Sequence, residues 1–333
     1  MNQRFIIGII VGAVVVIAIA AFAAISMNNS SGKVGSPNGN NDITAPTTQK
    51  IKVVASFFPM YEFTKNVAGD RADVVLMIPN GEEPHGWEPN TQEVQTVQNA
   101  QVFIYNGAGV ESFVPNLSSS GNFPHTTFVK ASEGIQMLDA DVKNLDEEEA
   151  KPIIEQGGKD PHVWNDPVLA QQEVRNIANA LEKADPANAQ YYEANANAYN
   201  QKLAKLDQDI KTAFSSCNTH TFVSFHNAFS YFTQRYGLTD VWITGIAPES
   251  EVPPQDIARV ENTAKQNNVK IIFSEDLVDP KLAESLADDI GAQTKILSPL
   301  EGLDQEDQQK GITFIDKWYE NLDSLKVALE CQK

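Results

Sequence analysis

Short β-rich runs alternate with helical segments along most of the chain, and this alternation constrains the fold more than any other feature of the sequence. A strand–helix–strand alternation requires right-handed crossovers and favours a mainly parallel sheet with helices on both faces. The predicted strands are 51–56, 74–78, 102–105, 126–130, 221–224, 241–243, 271–274 and 294–297. The predicted helices are 60–67, 91–99, 167–184, 228–236, 254–266, 280–290 and 305–329. We therefore expect an α/β protein of two lobes, each with a parallel four-stranded sheet flanked by helices.

Between the two sets of strands, Asp185-Pro186 introduces some thirty residues without Gly or Pro. Asp followed by Pro is a favourable helix start. Apolar residues then recur on one helical face, at Tyr199, Leu203, Leu206, Ile210 and Phe214. The pattern predicts one rigid helix over 186–216, roughly 46 Å long, that spans both lobes and limits hinge motion. The predicted domains are an N-terminal lobe at 50–184, the linking helix at 185–216 and a C-terminal lobe at 217–333.

The amino-terminal segment predicts an exported protein. Residues 5–27 are uncharged and long enough to span a bilayer, and Arg4 before them favours a cytoplasmic N-terminus. The first 27 residues are therefore either a membrane anchor or a signal segment that is cleaved after the small residues near Ala23 and Ala24. Residues 28–49 are almost entirely Asn, Ser, Gly, Pro and Thr, which predicts a disordered tether. We expect the remaining chain to act at the outer face of the cell membrane.

The charge of the chain excludes one class of partner. The formal net charge is −19, and since residues 1–49 carry +1, residues 50–333 carry −20. A surface this acidic repels phosphate backbones, so nucleic acid is not an expected ligand. The acidity suits cations better, although most of it is explained by a solvated surface.

Three of the five histidines lie in predicted loops of a similar kind, next to the end of a strand or the start of a helix. His85 comes after strand 74–78, His162 stands just before helix 167–184, and His226 follows strand 221–224. In open α/β sheets ligands bind outside the carboxyl ends of the strands, and neutral imidazole is the commonest metal ligand. A fourth donor would close a tetrahedral site. Glu301, after strand 294–297, is the candidate, and Glu275, after strand 271–274, is the alternative.

The segments around these residues resemble the metal-binding solute-binding proteins of ABC importers, the zinc and manganese receptors with two lobes joined by a rigid helix. The resemblance covers about residues 50–330 and rests on segments 54–59, 84–89, 103–107, 160–164, 225–229 and 297–303, in that order. It implies that His85, His162, His226 and Glu301 are the metal ligands, two from each lobe. It also implies a partner, a membrane permease driven by a cytoplasmic ATPase. The protein itself is expected to be a monomer.

The ligand set favours Zn²⁺, with Mn²⁺ as the alternative. Three imidazoles and one carboxylate suit zinc, which is commonly coordinated by four nitrogen and oxygen ligands. Manganese-type members of the resembled family have a carboxylate where this chain has His226. Many zinc-binding members of the resembled family carry a His-rich loop between the first two ligands. In this chain the corresponding residues, 139–160, are acidic, which indicates a solvated loop. The two other histidines, His125 and His220, are expected on the surface.

Three functional classes share this predicted site. We expect a receptor that captures zinc for uptake, and not an enzyme. A zinc hydrolase would keep one coordination position open for water, which Glu301 would fill. The motifs His-x-His-x-Asp-His and His-Glu-x-x-His are also absent from the sequence. A metal-dependent surface adhesin or scaffold is the remaining alternative.

The only two cysteines, Cys217 and Cys331, are too few for a disulfide-dense scaffold. Outside the membrane the redox conditions permit a disulfide. We expect the two to pair and to attach the last helix to the C-terminal lobe; the alternative is two unpaired cysteines.

Overall fold

The first sheet contains four parallel strands in the order β2-β1-β3-β4. The computed structural model describes residues 50–142, 151, 154, 157–250 and 252–332. Its first strands are β1 (Ile51–Ala55), β2 (Ala72–Leu76), β3 (Val102–Tyr105) and β4 (Thr127–Lys130). The helices between them are α1 (Phe58–Ala68), α2 (Thr91–Gln98) and α3 (Val114–Ser119). In the central strands, Val53–Ala55 of β1 and Val102–Ile104 of β3 are apolar and buried, because helices cover both faces of a parallel sheet.

The long helix of the prediction is shorter than expected at both ends. Helix α4 (Pro167–Ala184) has its predicted bounds, a 3₁₀ turn follows at Pro186–Asn188, and α5 covers Ala189–Phe214. The carboxylate of Asp185 accepts hydrogen bonds from the Asn188 amide (2.6 Å) and the Tyr192 hydroxyl (2.8 Å), which fixes this tighter turn. At 26 residues, α5 is about 39 Å long. All five apolar residues that predicted the helix face lie on its buried side.

The second sheet repeats the strand order of the first. Strand β5 (Thr221–Phe222) pairs with β6 (Thr239–Asp240), and β7 (Ile271–Ser274) pairs with β8 (Gln293–Ile296), all parallel. A parallel bridge between Val223 and Ile272 joins the two pairs, which gives the order β6-β5-β7-β8. The helices of this lobe are α6 (Ser230–Tyr236), α7 (Pro254–Gln266) and α8 (Lys281–Ile290).

Two strand predictions in this lobe had wrong bounds. Strand β6 lies at Thr239–Asp240 and not at 241–243, and β5 ends at Phe222, two residues before the end of the predicted strand 221–224. Regular pairing is confined to β5 and β6, two residues each. Beyond them the Val241 amide still donates to Phe222 (3.0 Å) and the Ile243 amide to Ser224 (3.2 Å). The backbone of the apolar run therefore follows β5 as an irregular extension, which periodicity cannot distinguish from a strand.

The single C-terminal helix predicted over 305–329 was wrong. The structure has α9 (Gln305–Lys310) and α10 (Phe314–Ala328). Gly311 adopts a left-handed conformation, with φ of 68°, that ends α9. A capping box at Thr313 then starts α10.

The hydrophobic core runs from the first sheet into the C-terminal helix. Helix α5 packs against α1, α4 and α10, and the rings of Phe63 in α1 and Phe314 in α10 meet edge to face at 4.8 Å. Polar contacts accompany the packing, since the Tyr319 hydroxyl donates to Asp209 (2.7 Å). The division of the chain at residues 184 and 217 stays a prediction, because one cluster of buried apolar side chains spans both sides of it.

The amino-terminal predictions lie outside the described residues. These are the anchor or signal segment at 1–27 and the tether at 28–49; most of the acidic stretch between 143 and 156 is outside them as well. Among the residues that are described, no helix combines the length and the apolar character that a membrane span requires.

Cys217 and Cys331 form a disulfide in the structure. Their backbones also form an antiparallel bridge. The bond attaches the end of α10 to the residues that lead into β5, so the C-terminal helix cannot leave the lobe independently.

Replacing both cysteines, Cys217→Ser with Cys331→Ser, should lower the free energy of unfolding by about 4–5 kcal/mol, because the bond closes a long loop in the unfolded chain. The measurement is urea unfolding with and without reductant. Reductant should destabilise the unaltered protein and leave the double variant unchanged. Two free thiols in the denatured, non-reduced protein would contradict the bond.

Glu173, on α4, is a fully buried acid outside the histidine cluster. Neither of its carboxylate oxygens has a hydrogen-bond partner among the described residues. Burial raises the pKa of Glu173 well above its usual value, and the Glu111 carboxylate adds to the shift. The folded protein therefore retains a proton that the unfolded chain loses near pH 4.3, and the free energy of unfolding falls as the pH rises from there toward the raised pKa.

Glu173→Gln should flatten this pH dependence, because an amide cannot ionise. We expect the stability of the variant relative to the unaltered protein to be greater at pH 8 than at pH 4, because only the unaltered protein has to keep a buried carboxyl group protonated. Urea unfolding from pH 4 to 8 measures it, with the exposed Glu193→Gln on α5 as control. Parallel pH profiles for Glu173→Gln and the unaltered protein would contradict the assignment.

Candidate metal centre

The four predicted ligands lie together between the two sheets. His85 is on the loop after β2, and His162 precedes a 3₁₀ turn, Val163–Asn165, that leads into α4. His226 follows β5 and Glu301 follows β8. Two side chains thus come from the carboxyl-terminal side of each parallel sheet, where open α/β folds bind their ligands.

The ligand atoms are separated by nearly equal distances. His162 Nε2 lies 3.3 Å from both His85 Nε2 and Glu301 Oε1. His85 Nε2 lies 3.3 Å from Glu301 Oε1, and His226 Nε2 lies 3.4 Å from His162 Nε2 and 3.5 Å from Glu301 Oε1. A tetrahedral zinc ion with bonds of about 2.0–2.1 Å has ligand-to-ligand edges of about 3.3–3.4 Å. Five of the six separations therefore match the edges of a zinc tetrahedron, and the sixth, between the donor atoms of His85 and His226, is within 4.8 Å.

The cluster is nearly closed to solvent. His162 and His226 are fully buried and Glu301 is 2% exposed, whereas the His85 side chain retains 8% exposure. Glu301 Oε2 has no hydrogen-bond partner in the described part of the chain. A buried carboxylate with an unpartnered oxygen, facing three imidazoles, is a site that favours a cation.

His162 and His226 are each oriented by one carboxylate, which contacts both the backbone amide and the ring of the histidine. Asp160 Oδ1 accepts from the backbone amide of His162 (3.0 Å) and contacts its Nδ1 (2.8 Å). Glu275 Oε1 does the same for His226, at 3.1 Å and 2.8 Å. A carboxylate on Nδ1 fixes the tautomer whose Nε2 is free to bind a metal.

Glu275 therefore does not compete with Glu301 as the fourth ligand. It binds the outer nitrogen of His226 and leaves the inner position to Glu301. Glu88, three residues after His85 in the sequence, is exposed. Glu83 is the carboxylate that accepts from the His85 backbone amide, at 3.2 Å. Asp160 and Glu83 each lie two residues before the histidine that they contact, whereas Glu275 is 49 residues from His226 in the sequence.

The loop that carries His162 is held by both lobes. Asn106, after β3, donates its side-chain amide to the carbonyl of Pro161 (3.0 Å). From the other side, the Trp164 indole donates to Pro299 (2.8 Å) and the Asn165 amide to Ala228 (3.0 Å). These contacts connect the His162 loop to the loops of Glu301 and His226. The signal in the sequence for this role of Trp164 is its position two residues after His162.

Opposing charges set the protonation of the cluster. Burial lowers the pKa of His226, but the Glu275 and Glu301 carboxylates outweigh it and raise the pKa well above its usual value. Burial likewise lowers the pKa of His162, and the contacts with Asp160 and Glu301 raise it overall. For His85 burial dominates and the pKa falls. Burial raises the pKa of Glu301, yet the charges of His226 and His85 hold it well below the usual range.

The remaining histidines are elsewhere. His125 and His220 are both exposed, and neither belongs to a cluster of metal-ligating side chains in the described residues. A second acidic cluster, formed by Asp276, Asp304 and Asp307, lies in the C-terminal lobe. The Lys317 ammonium already pairs with two of its carboxylates.

Residues 53–328 match the family described as ZnuA, zinc-uptake complex component A, periplasmic. The chain belongs to this family. The high-affinity zinc uptake system protein ZnuA of Bacillus subtilis (strain 168) is 40% identical over 310 residues, which cover 93% of this chain and 95% of that protein. The expected family of metal-binding solute-binding proteins is thereby confirmed.

Solved structures show the same two-lobe fold. The Zn(II)-bound ZnuA-like domain of Streptococcus pneumoniae AdcA has a TM-score of 0.71 and 34% identity, covering 85% of this chain and 100% of that chain. The laminin-binding protein Lmb of Streptococcus agalactiae, described as bifunctional with adhesin and metal transporting activity, has a TM-score of 0.73 and 34% identity, covering 84% and 99%. All four clustered side chains lie within the residues that match the ZnuA family.

Zinc binding should release protons at neutral pH. Zinc binds neutral imidazole, and the raised pKa values of His162 and His226 keep these side chains protonated in the metal-free protein to a higher pH than usual. The affinity should therefore fall as the pH falls through those raised pKa values, about tenfold per pH unit for each displaced proton. Calorimetric titration at pH 7 in buffers of different ionisation enthalpy measures the release. A binding enthalpy independent of the buffer would contradict it.

Proposed function

We propose that this protein is an extracytoplasmic receptor that binds Zn²⁺ and delivers it to the permease of an ABC transporter for uptake. The observation that carries the proposal is the cluster of His85, His162, His226 and Glu301, in which five of the six donor-atom separations are 3.3–3.5 Å. Its membership of the zinc-uptake ZnuA family and the zinc-bound neighbour support the same function.

The chemistry of the cluster favours Zn²⁺ over Mn²⁺. Mn²⁺ prefers octahedral coordination by carboxylate, carbonyl and water oxygens. Here three of the four donors are imidazole nitrogens, and the site is too enclosed to admit several waters. Zinc is satisfied by four such ligands.

The same enclosure favours binding over catalysis. A catalytic zinc has three protein ligands and keeps a position for water or substrate. Glu301 occupies that position, and its carboxylate is 2% exposed. Such a site holds its metal until the lobes or loops move, which suits a carrier.

We propose that the receptor acts as a monomer on the outer side of the membrane, where it passes zinc to a permease driven by a cytoplasmic ATPase. A surface adhesin is a second candidate, favoured by the description of the S. agalactiae neighbour. Growth of a strain that lacks this protein, with and without added zinc, distinguishes the two. A growth defect that zinc corrects supports uptake, whereas loss of surface attachment with normal growth supports the adhesin.

Calorimetric titration with Zn²⁺ and Mn²⁺ tests the metal site. The unaltered protein should bind one zinc ion with sub-micromolar affinity and manganese more weakly. His162→Ala with His226→Ala should weaken zinc binding by at least about a thousandfold, because half of the ligand set is lost. The matched control is His125→Ala with His220→Ala, which removes two exposed histidines. Retention of sub-micromolar binding in the first double variant would refute the site.

A further inference from the structure

Helix α10 presents two buried polar side chains to the interior of the C-terminal lobe. Lys317 is 5% exposed and Asn321 is 2% exposed. They are four residues apart and so lie on one face of the helix. Buried polar groups need specific partners, and both find them on the loops that surround the metal centre.

Lys317 joins two of these loops. Its ammonium lies 3.0 Å from Asp276 Oδ1 and also pairs with Asp307, and the two carboxyl side chains are only 6% and 9% exposed. Asp276 directly follows Glu275, the carboxylate that orients His226. Asp307 lies six residues after Glu301, in α9. One cation thus connects the loop that orients one ligand with the segment that carries another.

Asn321 holds the other side of Glu301. Its Oδ1 accepts from the Ser298 amide (2.8 Å), and its Nδ2 donates to the Ser298 carbonyl (2.7 Å). The Ser298 hydroxyl in turn accepts from the amide of Leu300 (3.2 Å). Leu300 has φ of 61°, a left-handed conformation that is costly for a side chain of this type. The Asn321 contacts therefore brace the strained residue that immediately precedes Glu301.

Removing the ammonium would leave carboxylates buried together without a counterion. Asp276, Asp304 and Asp307 offer oxygens that all lie within 4.8 Å of one another. An uncompensated buried charge is strongly unfavourable, and these carboxylates would repel one another. The chain can reduce this repulsion by separating the two loops. That movement displaces Glu275 and Glu301.

We propose that Lys317 and Asn321 are positioning residues for the metal centre, which fix the Glu275 and Glu301 loops from the face of α10. This inference rests on the proposed zinc-binding function. It assigns to the C-terminal helix a role in metal affinity although none of its residues belongs to the tetrahedron.

The test uses Lys317→Met, Lys317→Ala and Asn321→Ala, with Lys326→Met as control. Lys326 is on the same helix, but its side chain is 42% exposed and pairs with Asp323. Lys317→Met and Asn321→Ala should each weaken zinc binding about 10–100-fold, the usual effect of losing an outer partner of a metal ligand. Both should also change the visible spectrum of the Co²⁺-loaded protein, which reports the ligand geometry. Lys326→Met should alter neither.

Chemical rescue distinguishes positioning from a general contribution to folding. Propylammonium supplies the methylenes and the ammonium that Lys317→Ala removes, so it should restore zinc affinity and the Co²⁺ spectrum. Propanol at the same concentration should not restore either. If Lys317→Met fails to fold, Asn321→Ala and the rescued Lys317→Ala carry the test.

The outcomes separate this inference from the function on which it rests. Failure of the unaltered protein to bind zinc refutes the proposed function. Normal zinc affinity and an unchanged Co²⁺ spectrum in folded Lys317→Met and Asn321→Ala, with losses confined to the free energy of unfolding, overturn the positioning role. Weakened binding that propylammonium restores supports it.

Discussion

Three imidazoles and one carboxylate, drawn from four loops, hold their donor atoms within 4.8 Å of one another in an interior nearly closed to water. Such an arrangement is electrostatically demanding, because protonated histidines repel one another and a buried carboxylate loses its hydration. The rest of the structure can be understood as the framework that maintains it. The carboxylates behind His162 and His226 oppose the repulsion, and a bound cation would compensate Glu301.

The topology explains how distant residues reach one point. The two parallel sheets share one strand order, β2-β1-β3-β4 and β6-β5-β7-β8, and parallel strands present their carboxyl ends at a common edge. Every ligand lies on the carboxyl-terminal side of a sheet. Helix α5 packs on helices from both lobes, which keeps the two edges facing each other, and the Trp164–Pro299 hydrogen bond joins them beside the site.

Sequence reasoning predicted the fold class and most of the strands, because hydrophobic periodicity is local and strand ends can be located from it. The set of four clustered residues came from the resemblance to the metal-binding solute-binding proteins. It could not assign Glu275. A carboxylate at a strand end is equally suited to bind a metal or to orient a ligand, and only the distance to His226 Nδ1 decides. It also missed Lys317 and Asn321, since a helical pattern does not show which loops a polar side chain will meet.

The sequence by itself determined which residue types stand at the strand ends and that two cysteines border the C-terminal lobe. Tertiary structure alone decided the roles. His85 and Glu301 are 216 residues apart in the chain and 3.3 Å apart in space. Metal affinity depends on such distances to a fraction of an ångström, and these arise from the packing of whole lobes, which no local pattern encodes.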